Sequence, residues 1–255
     1  MAHHSSRFRL TMIRPRWQTP IAMTGRSRWT RKRDGFIVLL MAAALTVGLW
    51  FLPYGEVMVY PFRLFVTLIH ETAHAVGAVM TGGRVDHIEI TPDGSGVTYT
   101  RGGWTILIAS AGYVGAILYG GLMLLLCRQA RYAKLALLGT LVLVTLVTVL
   151  FVRPLFSFGF LASALTAVAL AAALYFFTRR VIHFLVGFLA VESCLNALFD
   201  VKTVFLLSAE TDVPTDAMTL ERITHIPAIV WALGWVIASL AILAVVLRGF
   251  RSAFR

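Results

Sequence analysis

Charged residues are scarce in this sequence. Only 14% of its 255 residues are Asp, Glu, Lys or Arg, whereas 58% are hydrophobic, and the mean hydropathy is +0.80. Soluble globular domains usually contain about 25% charged and about 45–50% apolar residues. A water-soluble core cannot accommodate this excess of apolar side chains, but a lipid bilayer can. The composition therefore excludes an ordinary soluble domain and indicates a membrane protein.

Cysteine and acidic residues are also few. Cys127 and Cys194 alone cannot form a disulfide framework or a cysteine-based zinc site. The excess of basic residues gives a net charge of +11, but nine of them lie between Arg7 and Arg33 and the rest cluster at the ends of apolar runs. That distribution is typical of topology signals and of contact with anionic lipid headgroups. We therefore expect a lipid bilayer and no nucleic acid as a partner.

Seven long apolar runs make up most of the chain. Most of them reach the roughly 20 residues that a helix needs to cross about 30 Å of hydrocarbon. We predict an all-α multi-pass membrane bundle of six to seven hydrophobic helices in a single membrane domain (34–255), behind a basic, disordered tail (1–33). The runs are Gly35–Pro53, Phe62–Met80, Trp104–Leu126, Leu135–Val152, Leu155–Thr178, Val181–Leu207 and Pro227–Leu247.

Two polar stretches interrupt these runs. Residues 82–103 alternate apolar and polar side chains around the turn sequence Pro92-Asp93-Gly94-Ser95-Gly96, which predicts a small β-hairpin. The second stretch, residues 208–226, is rich in acidic side chains and ends at Pro227, a favourable first residue for a helix.

The basic clusters predict the topology. If the N-terminal tail and the basic cluster that starts at Arg128 both face the cytoplasm, the chain crosses the membrane an even number of times between them. Three apolar runs lie there, so one of them is not a simple crossing. We therefore expect the segment Phe62–Met80, together with the hairpin, to dip into the membrane and return, with its backbone covered by protein or lining a wet cavity. The same rule places the acidic stretch outside and the N-terminus in the cytoplasm.

The segment Phe62–Met80 contains the pentad His70-Glu71-Thr72-Ala73-His74. Residues four apart share one face of a helix, so both imidazoles can bind one metal ion. Glu71 is placed to take a proton from an attacking water and to pass it to a leaving amine. Ionisable residues inside membrane segments usually mark function. The simpler alternative is a pair of core-facing histidines with a hydrogen-bonded glutamate.

The stretch from His70 to Gly83 resembles the site-2 protease family of intramembrane zinc metalloproteases, and the chain is most similar to its bacterial, M50B-like branch. Small residues follow the pentad at Ala75, Ala78 and Gly82, and a polar β segment and a small-residue helix come next, as in that family. The resemblance covers most of residues 55–247. It implies one Zn²⁺ per chain, a membrane-protein substrate and a place in the bacterial plasma membrane.

The resemblance also implies a third zinc ligand, an Asp on a later helix. Glu192, Asn196 and Asp200 follow one another at intervals of four, on one face of a predicted helix. We expect Asp200 to be the ligand, because family members commonly carry an Asn shortly before it. Asn196 would orient the substrate backbone or stabilise an oxyanion.

The family's prolines after the Asn and its glycine after the Asp are missing around Asp200, so two alternatives stay open. Asp216 in the acidic stretch is the second candidate, and Glu192 is the third. A solvated or helix-capping role explains Asp216 more simply.

The predicted activity is hydrolysis of peptide bonds in transmembrane substrates by a zinc-dependent intramembrane endopeptidase. Zinc would be held by His70, His74 and Asp200, and the catalytic residues would be Glu71 and Asn196. The substrate helix must unwind locally, and its strand would add to an edge of the hairpin. The alternatives are a membrane metal transporter or metal-sensing protein that uses the same His pair, and an inactive scaffold. Substrate identity and oligomeric state are not set by these residues.

Overall fold

The computed structural model describes residues 37, 40–49, 52–210 and 215–252, and of residues 196–210 and 250–252 the backbone only. Within these residues the protein is mostly helical, with one antiparallel hairpin directly after the helix that carries the pentad, as predicted. The elements are α1 (Leu40–Leu49), α2 (Gly55–Met80), β1 (Arg84–Ile90), β2 (Gly96–Arg101), α3 (Thr105–Cys127), α4 (Ala130–Leu150), α5 (Phe158–Phe176), α6 (Arg179–Glu210), α7 (Asp216–Thr224) and α8 (Ala228–Ser252).

Each of the seven apolar runs coincides with a helix in this structure. Four of the described helices, α3, α4, α5 and α8, are long and apolar enough to cross a membrane. Their outer faces expose large aliphatic side chains such as Leu165 and Val245, which is the surface expected where lipid is the solvent. Six to seven membrane-crossing helices remain a prediction. Helix α7, which lies in the acidic stretch, was not predicted from the sequence.

The hairpin folds back along α2. Its strands pair Ile88 with Thr98 and Ile90 with Gly96, with one bulge near the start of β1. Thr67 Oγ1 of α2 donates to the carbonyl of Gly94 at 2.8 Å, so the turn lies beside the N-terminal half of α2. The chain therefore changes direction in the hairpin and not within α2, which is one helix of 26 residues.

The two edges of the hairpin differ. The N–H of Ile88 in β1 donates to Phe151 O at 2.8 Å, and the N–H of Arg153 donates to Ile88 O at 3.0 Å. The segment after α4 thus covers the outer edge of β1. Among the described residues, no strand pairs with the outer edge of β2.

Helix α3 packs antiparallel against α2 at very short range, because small residues meet where the helices cross. A Cβ added to Gly115 would lie 2.4 Å from the Cβ of Ala73, and one added to Gly77 would lie 2.9 Å from the Cβ of Ala111. Such close packing is typical of helix pairs in membranes. It brings the backbone of α3 directly against the face of α2 that carries the pentad.

Candidate active site

The two histidines of the pentad lie one turn apart on α2 and face α3. Their ring centroids are 4.7 Å apart. Gly112 of α3 makes room for both rings, since a Cβ there would lie 2.3 Å from Nε2 of His70 and 2.5 Å from Nε2 of His74. Both imidazoles therefore point into the protein and towards one another.

Further contacts orient each imidazole. Nδ1 of His74 lies 2.6 Å from the backbone carbonyl of Ile108, which accepts a hydrogen bond only if Nδ1 carries the proton. Nε2 then keeps its lone pair, the arrangement usual for a metal-binding histidine. The ring of His70 meets Tyr113 edge to face at 4.7 Å, and Tyr113 stacks on Trp235 of α8 at 4.5 Å.

Glu71 is buried beside these rings, with only 4% of its surface exposed. Its nearest ligand atom and those of His70 and His74 all lie within 4.8 Å of one another, so the three form a group able to hold a metal ion. The hydroxyl of Thr98 in β2 lies 2.7 Å from Oε2 of Glu71. The hairpin thus covers the carboxylate.

Asp216, the first residue of α7, supplies a carboxylate to the same place. Its Oδ2 lies 3.5 Å from Nε2 of His70 and 3.3 Å from Nε2 of His74. Both distances exceed the roughly 2.7–3.2 Å of ordinary N–H···O hydrogen bonds. In a tetrahedral zinc site with ligands about 2.0–2.1 Å from the ion, neighbouring ligand atoms lie about 3.3–3.4 Å apart. Both distances from the Asp216 carboxylate to the imidazoles therefore fit the spacing between ligands in a zinc site.

Packing and capping of α7 place this carboxylate. Thr215 is the N-cap, and its side chain accepts a hydrogen bond from the N–H of Met218 at 3.3 Å. Ala217 and Leu220 are completely buried in a cluster formed with α3 and α8. At the other end of α7, the carboxylate of Glu221 accepts from the N–H of Ala228 at 3.0 Å.

The charge of Asp216 depends on the same contacts. Burial raises the pKa of its carboxyl group, but the positive charges that His74 and His70 carry when protonated outweigh burial and hold the pKa below its usual range. The side chain is 29% exposed. Protonated imidazoles thus favour the anionic form of Asp216, the form in which a carboxylate binds a metal ion.

The other predicted residues of the site lie on α6. The side chains of Asn196 and Asp200 fall outside the described residues, so their roles remain predictions. Glu192 is buried, and its carboxylate accepts a hydrogen bond from Thr46 of α1 at 2.7 Å. The sequence did contain a sign of Asp216: a capping threonine before it, followed by apolar residues at helical spacing at Ala217 and Leu220.

Comparison with known proteins identifies the family of this chain. Neither a curated protein nor a solved structure matches the chain. Residues 30–246 match the sequence model of the peptidase M50B-like family, which is consistent with the resemblance to site-2 proteases. Because the match spans most of the chain, the protein belongs to the peptidase M50B-like family.

Proposed function

We propose that this protein is a zinc-dependent intramembrane endopeptidase that hydrolyses peptide bonds in the transmembrane segments of other proteins. One observation carries the proposal: Oδ2 of Asp216 lies 3.5 and 3.3 Å from the Nε2 atoms of His70 and His74, beside the buried Glu71. The peptidase family supports the reaction class. The four long apolar helices support a site that operates at a membrane.

The zinc ligands in this proposal are His70, His74 and Asp216, with one ion per chain. We place Asp216, in place of the predicted Asp200, as the third zinc ligand, because its carboxylate oxygen lies at ligand spacing from both imidazoles. A zinc ion bound there would polarise the scissile carbonyl and make an attacking water more acidic.

Glu71 is the proton carrier. Its carboxylate lies within 4.8 Å of the ligand nitrogens of both histidines, so it is within reach of a water that attacks at this place. It accepts a proton from that water and then donates the proton to the leaving amine. The water is thereby deprotonated and the peptide nitrogen leaves as a neutral amine.

The substrate would bind as an extended strand along β2. A helix hides its peptide bonds in its own hydrogen bonds, so a transmembrane substrate must unwind before attack. Among the described residues, the outer edge of β2 pairs with no strand, while Gly96 and Thr98 of the same strand contact Glu71. A segment added to this edge would therefore run close to the base. The partners in this proposal are a membrane-protein substrate and the lipid bilayer, in a bacterial plasma membrane with the N-terminus in the cytoplasm.

The experiment uses the full-length protein in proteoliposomes, with a pool of synthetic single-span helical peptides as substrates. We expect about one zinc per chain, zinc-dependent cleavage inside the apolar part of a peptide, and loss of cleavage with retained zinc in Glu71→Gln. Cleavage by Glu71→Gln at the wild-type rate would contradict the proposal. Zinc uptake into the vesicles without any cleavage would favour a metal transporter, which the family match does not favour.

A further inference from the structure

The contact between Thr98 and Glu71 joins the hairpin to the base. The hydroxyl of Thr98 lies 2.7 Å from Oε2 of Glu71 and 3.0 Å from the backbone carbonyl oxygen of the same residue. The carboxylate is almost fully buried, and a buried charge is costly unless hydrogen bonds compensate it. Hydrogen bonds to an ionised group are also the stronger kind. The hydroxyl therefore has a large effect on where the carboxylate rests.

Gly96 encloses the same side chain from the same face of β2. A Cβ at position 96 would lie 2.7 Å from Cγ and 2.8 Å from Oε1 of Glu71, and 2.9 Å from Cγ2 of Thr67. The backbone of Gly96 is not left-handed, so space and not conformation demands a glycine here. Residues two apart on a strand point to one side. Gly96 and Thr98 thus contact the Glu71 carboxylate from the same face of β2.

We propose that Thr98 is a positioning residue that holds the Glu71 carboxylate in its reactive orientation. This inference rests on the proposed peptidase function. While Glu71 is ionised, the hydroxyl donates to Oε2. The proton taken from water then enters and leaves through Oε1. In the resulting neutral acid Oε2 is the carbonyl oxygen, so the bond from Thr98 persists through both halves of the proton transfer.

The position of Thr98 also links substrate binding to the base. Thr98 belongs to β2, the strand whose outer edge would take the substrate. Its side chain points at Glu71, while the backbone of the same strand would pair with the unwound segment. Removal of the hydroxyl leaves this backbone edge intact. It should therefore slow the chemical step far more than it weakens substrate binding.

The test compares Thr98→Val, which has the same shape without a hydroxyl, with Thr98→Ser, which retains the hydroxyl. We expect Thr98→Val to lower kcat by about 10- to 100-fold, the effect of losing one hydrogen bond to a charged group. KM and zinc content should stay near those of the wild type, and Thr98→Ser should restore most of kcat. An unchanged kcat in Thr98→Val, an equal loss in Thr98→Ser, or a loss of zinc in Thr98→Val would overturn the proposal.

A second measurement does not depend on proteolysis. Infrared spectra of protein labelled with ¹³C-glutamate, referenced to Glu71→Gln, isolate the carboxylate stretch of Glu71. This band should shift in Thr98→Val and stay in place in Thr98→Ser, and a band that is identical in all three proteins would overturn the positioning role. If the wild type cleaves no peptide while the band still shifts, the peptidase function fails and the positioning contact stands.

Discussion

Gly112 of α3 lies so close to His70 of α2 that any side chain at position 112 would occupy the place of the imidazole. A Cβ there would lie 2.3 Å from Nε2 of His70 and 2.5 Å from Nε2 of His74. These nitrogens are the atoms that face Asp216. A glycine at position 112 is thus required for the two imidazoles to face Asp216.

Gly112→Ala should therefore weaken zinc binding. The methyl group must displace one or both rings, and we expect a loss of at least the roughly 10- to 100-fold in affinity that disturbed support of a metal ligand costs. Zinc titration of the metal-free protein measures this. Gly139→Ala is the matched control, because nothing lies within 4 Å of a Cβ there. Equal zinc affinity of Gly112→Ala and Gly139→Ala would contradict the prediction.

Asp216→Ala and Asp200→Ala discriminate between the two candidates for the third ligand. Asp216→Ala removes an oxygen 3.3 Å from Nε2 of His74. We expect it to lose more zinc affinity than the about 10- to 100-fold typical of residues that only support a ligand. Asp200→Ala should keep its zinc. Metal content per chain after purification is the measurement, and the reverse order would return the role to Asp200.

Gly96→Ala should separate catalysis from metal binding. Its methyl group would press on Cγ and Oε1 of Glu71 and on Cγ2 of Thr67, all of which lie nearer to it than any imidazole atom. A displacement of about 1 Å in a catalytic group can cost on the order of 100-fold in rate, so kcat should fall by about that factor while zinc content is unchanged. Gly112→Ala is thus expected to lower zinc affinity, whereas Gly96→Ala is expected to lower kcat without a loss of zinc. Normal kcat in Gly96→Ala would show that the carboxylate has more room than the structure indicates.

Leu220→Ala should loosen α7 and, through it, the site. Leu220 is completely buried against α3 and α8, and truncation of such a side chain costs about 2–5 kcal/mol. Because Asp216 is the first residue of α7, poorer docking should lower zinc affinity and speed amide exchange in residues 216–224. Ile223→Ala, at a position 51% exposed on the same helix, should change neither. If zinc affinity and exchange in Leu220→Ala match those of Ile223→Ala, α7 is not what positions the ligand.

The features that follow from local sequence could be predicted. The scarcity of charge and the seven apolar runs give a helical membrane protein, and the turn around Gly94 gives the hairpin. The pentad puts His70 and His74 on one helical face with Glu71 beside them, because a period of 3.6 residues requires it. The resemblance carried by the same stretch gave the family.

Finding the carboxylate beside the two histidines required the tertiary structure. Asp200 was expected to be the third ligand because it follows Asn196 on a polar face of an apolar helix, and this expectation stays a prediction because its side chain lies outside the described residues. Asp216 lies in a stretch that was expected to be a solvent-exposed loop. Docking of Ala217 and Leu220 against α3 and α8 turns that stretch into a helix and carries Asp216 to the histidines. Local spacing could signal the helix α7, but not its contact with the histidines, because that contact joins residues that are far apart in sequence.

The sequence by itself determined that this is a membrane protein, where its apolar helices lie and which residue types form its reactive motif, because hydrophobicity and helical period act between near neighbours. Only the tertiary structure decided which carboxylate faces the imidazoles, which glycines make room for them and which strand covers Glu71. Those outcomes depend on how α3, α7 and the hairpin pack on α2, and packing is set by the shapes of distant surfaces that meet only in the folded chain.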